Sequence, residues 1–320
     1  MLRLRLIFGL LLAGAVVALL VLDAWLATLT PPTWVVPGLG INVAVWLMNG
    51  AISTALVAVF VLLAAHELLC FARARGCYPS WVLTQIGAVG LVIGPYVIFN
   101  SQAAAARTGE AWGLFLLCVV LGVSFVRQSW RYGTNQVMSN IAATMFIVLY
   151  TGGLGHFMCR LRMEVGGKEG VPLLLFSLFV VKMTDVGAYF AGRLFGRHRM
   201  IPWLSPMKTW EGLVGGVLVA AASALGVGHL LHVTGAARMG PEGAPYVLSL
   251  LGFGLLMAAL SVAGDLCASL LKRDAAVKDS GEALPGFGGV LDVLDSPLLA
   301  APVAWAFWTR LVHVGSAIGA

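Results

Sequence analysis

Nine long apolar runs set the first constraint on what this chain can fold into. They lie near residues 6–29, 43–72, 81–99, 111–127, 136–158, 171–195, 211–233, 245–271 and 288–312. Several are long enough to cross a hydrocarbon layer of roughly 30 Å as an α-helix. Strand-period alternation is absent, and lipid admits only helices or closed barrels as spanning structures. The expectation is an all-α, polytopic integral membrane protein with about nine transmembrane helices. Arg3 and Arg5 precede the first run, which resembles a signal peptide. It is longer than a typical signal core and carries Asp23 and Trp25 near its end, so it reads as an uncleaved first helix.

Charge supplies an orientation. With a cytoplasmic N-terminus, Arg3, Arg5, Arg73, Arg75, Arg127, Arg131, Arg193, Arg197, Arg199, Lys208, Lys272, Arg273 and Lys278 fall inside, thirteen cations in all. Arg107, Arg160, Arg162, Lys168, Arg238 and Arg310, six, fall outside, and Lys182 lies within a helix. This positive-inside bias accounts for the formal net charge of +6 as a topology signal and gives little reason to expect nucleic acid as a partner. It also puts the charge-rich loops on the cytoplasmic side. Cys70, Cys77, Cys118, Cys159 and Cys267 are scattered with no CxxC, and the histidines form no HExxH, so neither a disulfide framework nor a zinc site is expected.

One integral domain is expected, its chemistry unevenly distributed: residues 1–135 as N-terminal helices with little chemistry, 136–320 as the catalytic half. In the first half His66-Glu67 reads as a helix end meeting the interface. In the second half Lys182 and Asp185 share one face of an apolar helix, either neutralising each other or serving a site. Ser205-Pro206, followed by Lys208, Thr209 and Glu211, looks like a helix start whose free N–H groups suit an anion. An ordinary cap with a snorkelling lysine is the alternative. Gly212, Gly215 and Gly216 read as helix-packing positions.

The densest charge lies between Ser269 and Ser296, in a chain of which only 11% is charged. Asp265, Ser269 and Lys272 stand at i, i+4 and i+7, one stripe at a helix end. Lys272, Arg273 and Lys278 suit a polyphosphate, with arginine able to bind in bidentate fashion. The turn Pro285-Gly286-Phe287-Gly288-Gly289 lets backbone approach a ligand. Asp292 and Asp295 follow one turn apart. Asp265, Asp292 and Asp295 form a hard oxygen set suited to Mg²⁺, with mutual salt-bridging as the alternative.

SxxKRxxxxKDxGxxLPGxGGxxDxxDS, Ser269 to Ser296, resembles the signature of the phosphatidate cytidylyltransferases. So do Asp185 with its following AYF and spaced glycines, SPxKTWEGxxGG from Ser205 to Gly216, and Gly264-Asp265. By motif the likeness covers roughly residues 136–312. It implies the reaction CTP + phosphatidate → CDP-diacylglycerol + pyrophosphate, a role in phospholipid biosynthesis and a bacterial inner membrane with the active site facing the cytoplasm. It further implies Asp265, Asp292 and Asp295 as Mg²⁺ ligands, with a second metal or monovalent cation left open. Lys208, Lys272, Arg273 and Lys278 would hold phosphates, with Asp279 near the metal. Ser205, Thr209, Ser269, Gly288, Gly289 and Asp185 would line the substrate site. Phe287 and Val293 stand where the family usually has histidine and arginine, which leaves open another lipid acceptor or a non-catalytic membrane protein. A homodimer also stays open.

Overall fold

The computed structural model describes residues 2–30, 32, 42–101, 105–165, 169–237, 244–277, 280–281 and 288–312. The helices are α1 (Leu2–Leu26), α2 (Val43–Met48), α3 (Ala51–Ala74), α4 (Trp81–Asn100), α5 (Ala105–Tyr132), α6 (Val137–Ile147), α7 (Leu154–Glu164), α8 (Gly170–Phe195), α9 (Trp210–Val233), α10 (Ala244–Asp274) and α11 (Leu291–Ala306). A π-helical turn, Val148–Gly153, joins α6 to α7, and another, Phe307–Val312, follows α11. Among the described residues seven helices are long and apolar enough to cross a membrane. The all-α membrane architecture stands, while the expected nine exceeds this number. The apolar stretch of α1, Leu11–Leu26, is shorter than the seven. Helix α11 has 16 residues, two aspartates and two internal prolines.

Lipid offers little hydrophobic drive for helix association, so close packing must supply it, and small residues permit that approach. The second half is built this way. A methyl group on Gly215 of α9 would run into Ala191 of α8, and one on Gly216 would meet the Thr184 carbonyl at 3.0 Å. The expectation that these glycines are packing positions holds. Gly254 of α10 lies against Ala221 and Ala224 of α9. Gly264 of α10 brings that helix onto the backbone of α11, where an added methyl would sit 2.6 Å from the Asp295 carbonyl oxygen. The shared apolar core includes Val180 and Val181 of α8, Ala220 of α9, Phe253 and Met257 of α10, and Leu298 of α11.

Two features depart from a plain helix bundle. Between α8 and α9 the chain forms an antiparallel hairpin, β1 (Arg199–Ile201) and β2 (Ser205–Thr209), pairing Arg199 with Thr209 and Ile201 with Ser205. The expected helix start at Ser205 is therefore displaced to Trp210. Thr209 is extended (φ −123°, ψ 155°) and its hydroxyl accepts the Gly212 N–H, which is an N-cap. Glu211 fixes the approach by accepting the N–H groups of Arg197 and His198.

The second is a buried ion pair. Asp23 of α1 accepts from Arg162 Nε of α7 at 2.9 Å, with both side chains 1% exposed. Its other oxygen accepts the Ile52 and Ser53 N–H groups that open α3. Arg162, assigned by the sequence to an outer loop, thus ties α1, α3 and α7 together. Arg162→Met leaves the Asp23 charge buried and is expected to destabilise the protein by about 3–5 kcal/mol. Unfolding in detergent checks this, and the Asp23→Asn/Arg162→Met double variant should recover part of the loss.

Candidate functional site

The polar residues of the second half converge where α10 ends, α11 begins, and the hairpin folds back. Helices α10 and α11 are joined at Gly264, so Asp265 of one and Asp295 of the other are brought to the same region. Three carboxylates, those of Asp265, Asp292 and Asp185, each sit by a lysine. Lys208 Nζ of β2 is 2.7 Å from Asp265 Oδ2 and also donates to the Val262 carbonyl at 3.4 Å. Lys272 Nζ of α10 is 2.8 Å from Asp292 Oδ1 of α11. Lys182 is 3.4 Å from Asp185 within α8, and Asp185 accepts the Ser261 hydroxyl of α10 at 2.7 Å. Lys182, Asp185 and Asp265 are all close enough to Asp295 to act on it electrostatically.

The sequence-assigned residues are thus brought together across four elements, with changed partners. Asp292 and Asp295 share a helix face, yet their carboxylates have different surroundings. Asp292 also accepts the N–H groups of Ser280 and Gly289 at 3.2 and 3.3 Å. Asp295 is buried and accepts the N–H of Ser296 at 2.6 Å. Arg273 donates through Nε to the Leu204 carbonyl of the hairpin at 3.4 Å. Ser269 is buried on α10, Ser205 opens β2, and Thr209 is occupied as the α9 cap. Gly288 has φ +89°, a backbone conformation natural to glycine. Val293 lies in the first turn of α11. Lys278, Asp279, Phe287 and the rest of the turn from Glu282 lie outside the described residues.

One residue the sequence reading placed elsewhere proves central. Glu67 lies within α3, not at its end, and is 6% exposed. Its two oxygens accept the N–H groups of Val290 and Leu291 at 2.7 and 2.9 Å, across more than two hundred residues of chain. A carboxylate at a helix N-terminus satisfies open N–H groups and complements the helix dipole. Gly289 is required beside it: a methyl there would run into Glu67 and the Ser280 hydroxyl. The first half therefore shapes the site after all. The available signal was a lone carboxylate within a 24-residue apolar helix. Ser261, Ser296 and Tyr150 were also missed. Tyr150 lies in the π-helical turn, its enclosed hydroxyl without a hydrogen-bond partner among the described residues and its ring near Asp295 and Cys267. Cys70, Cys77, Cys118, Cys159 and Cys267 are free.

Among the described residues no three carboxylate, imidazole or thiol groups cluster tightly enough to form a metal cage. A Mg²⁺ site does not require one, since this ion takes one or two carboxylates and completes its shell with water and phosphate. The donor set is all oxygen, and the backbone approach at Gly264 brings Asp265 and Asp295 together on adjacent helices. The residues present fit such an ion when phosphate arrives with it.

Comparison with known proteins shows the family. The model of the cytidylyltransferase family matches residues 32–311. The phosphatidate cytidylyltransferase of Haemophilus influenzae is 34% identical over 197 residues, covering 60% of this chain and 63% of that protein. That of Mycobacterium bovis is 29% identical over 287 residues, covering 87% of this chain and 88% of that one. Phosphatidate cytidylyltransferase 5, chloroplastic, of Arabidopsis thaliana is 29% identical over 300 residues, with 84% and 70% covered. With its matched region spanning most of the sequence and the lysine–carboxylate seam inside it, the chain belongs to the cytidylyltransferase family.

Proposed function

We propose that the protein is a phosphatidate cytidylyltransferase, forming CDP-diacylglycerol and pyrophosphate from CTP and phosphatidate. The observation that carries this reading is the polar seam across β2, α10 and α11, set at the helix ends of an apolar bundle. A lipid held in the bilayer and a nucleotide from water can meet only where such a seam reaches the surface.

The transfer needs positioning and charge neutralisation more than covalent help. A phosphate oxygen of phosphatidate attacks the α-phosphorus of CTP, and the bond to pyrophosphate breaks. The lipid monoester is largely dianionic at neutral pH, its second pKa being about 6, so no strong general base is needed. Lys208, Lys272, Arg273 and Lys278 bind the triphosphate and the lipid headgroup. Lys208 and Lys272 are each engaged by a carboxylate, so an entering polyanion displaces contacts that had kept the lysines in place. Asp265, Asp292 and Asp295 are the residues that would hold Mg²⁺, which when bound supplies positive charge between the reacting phosphates. Asp185 and Ser261 steady the base of the site. Ser205, Thr209, Ser269, Gly288 and Gly289 complete its lining, and Asp279 is assigned to the metal side of the reaction. A second metal, a monovalent cation and a homodimer are compatible with this reading.

Two further helices, α1 and α11, crossing with the seven would give nine, and the positive-inside bias then turns the site toward the cytoplasm of a bacterial inner membrane. Val293, uncharged where the related pattern has arginine, motivates a second reading in which CTP is used on a different lipid acceptor. A panel of acceptors with the purified protein separates the two. Preference for phosphatidate is expected, and strong preference for an isoprenoid phosphate or a lipid alcohol would replace the first reading by the second.

A further inference from the structure

The hairpin between α8 and α9 carries more apolar surface than a water-facing turn tolerates. Trp203 is 74% exposed, Met207 88% and Trp210 53%. Around them Arg193, Arg197, His198 and Arg199 are exposed too. The nearby carboxylate, Glu211, is engaged by the N–H groups of Arg197 and His198 and by the His198 ring. Among the described residues the guanidinium groups of Arg197 and Arg199 make no ion pair. A two-stranded hairpin is marginal by itself. This one is anchored at its inner side by the buried Leu204, whose carbonyl accepts from Arg273, and by Lys208 on Asp265. Its outer side is bare.

Its place in the fold says what covers that side. The hairpin begins just after α8 ends at Phe195 and finishes where α9 starts at Trp210, both helices being long enough to span a membrane. Non-helical backbone is not tolerated in lipid-exposed hydrocarbon, so the hairpin lies at the boundary with water. Tryptophan settles at headgroup level, and basic side chains are attracted to anionic headgroups.

We propose that the hairpin is a surface-binding element that lies in the headgroup layer of an anionic leaflet, with Trp203 and Met207 inserted and Arg197 and Arg199 on lipid phosphates. The alternation of tryptophan, methionine and arginine favours a lipid surface over a free nucleotide, which offers phosphate but no apolar layer. Because the same hairpin carries Lys208, which Asp265 and the Val262 carbonyl already hold in place, its seating gathers anionic lipid next to the site without moving that lysine. The catalytic consequence rests on the cytidylyltransferase reading; the surface binding does not.

The test is backbone hydrogen exchange of residues 197–209 in the full chain, placed in nanodiscs of phosphatidylcholine alone or mixed with phosphatidylglycerol. Anionic lipid should slow exchange in this segment about fivefold, the effect of one basic residue at a charged surface. A Trp203→Ser/Met207→Ser variant should abolish the difference, and Arg197→Gln/Arg199→Gln should do so without touching the apolar tip. In activity assays the double variant should raise the KM for phosphatidate, expressed as mole fraction, by about fivefold, leaving kcat and the KM for CTP unchanged. Equal exchange in both lipids overturns the proposal. So does protection of residues 197–203 by CTP in phosphatidylcholine, which makes the outer side of the hairpin a nucleotide loop, or protection that tracks dimer mass, which makes it a contact with a second copy. A protein with lipid-dependent protection but no turnover would leave this inference standing and remove the proposed function.

Discussion

Asp292→Asn is expected to lower CDP-diacylglycerol formation by about a hundredfold to a thousandfold, the cost typical of losing one preorganised electrostatic group. The reason lies in how many things one carboxylate does here. It holds Lys272 at 2.8 Å and takes the N–H groups of Ser280 and Gly289 from the loop that joins α10 to α11. Asparagine keeps the shape and one acceptor oxygen, so the loop can still close on it. What is lost is the negative charge facing Lys272, and with it the placement of that ammonium for phosphate. Turnover should therefore fall while the thermal midpoint moves little. An unchanged kcat with a fully folded variant would remove Asp292 from the assigned role.

The second large effect concerns Glu67. Glu67→Ala strips the acceptors from two buried N–H groups, those of Val290 and Leu291. Each hydrogen bond to a charged group is worth about 1.5–3 kcal/mol, so the pair predicts a loss of about 3–6 kcal/mol. Glu67→Gln keeps one acceptor oxygen and should lie between the variant and the unaltered protein. Both substitutions should also reduce turnover, because the first turn of α11 carries Asp292 and Asp295 follows it. Chemical unfolding in detergent gives the stability, and the same samples give the rate. Full stability in Glu67→Ala would show that the start of α11 is held by something else.

These two residues mark how far the sequence could be read. Asp292 was legible because its neighbours in the site are close in the chain: Lys272 is twenty residues away, and both belong to one charged stretch in an oily sequence. Lys208 and Asp265 were legible as chemical types, though their pairing across fifty-seven positions was not. Glu67 was not legible as a site residue, since its partners are backbone N–H groups and lie at a separation of 223 and 224 residues. Backbone groups leave no mark in a sequence. Nor was the hairpin: Pro206 before a polar run suits a helix start as well as a strand, and Glu211 gathering the N–H groups of Arg197 and His198 is a tertiary event. The helical class was legible throughout, because lipid leaves so few alternatives. The number of spans was less so, since α11 mixes apolar residues with the aspartates its site demands.

Transfer of a cytidylyl group from CTP to a lipid phosphate at this lysine–carboxylate seam can be followed by incubating the purified protein with phosphatidate, Mg²⁺ and CTP labelled at either the α- or the γ-phosphate. The α-label is expected to enter the lipid phase and the γ-label to leave as pyrophosphate, both stopping when Mg²⁺ is chelated. Label reaching the lipid from the γ-position, or no transfer to lipid by a folded protein, would contradict it.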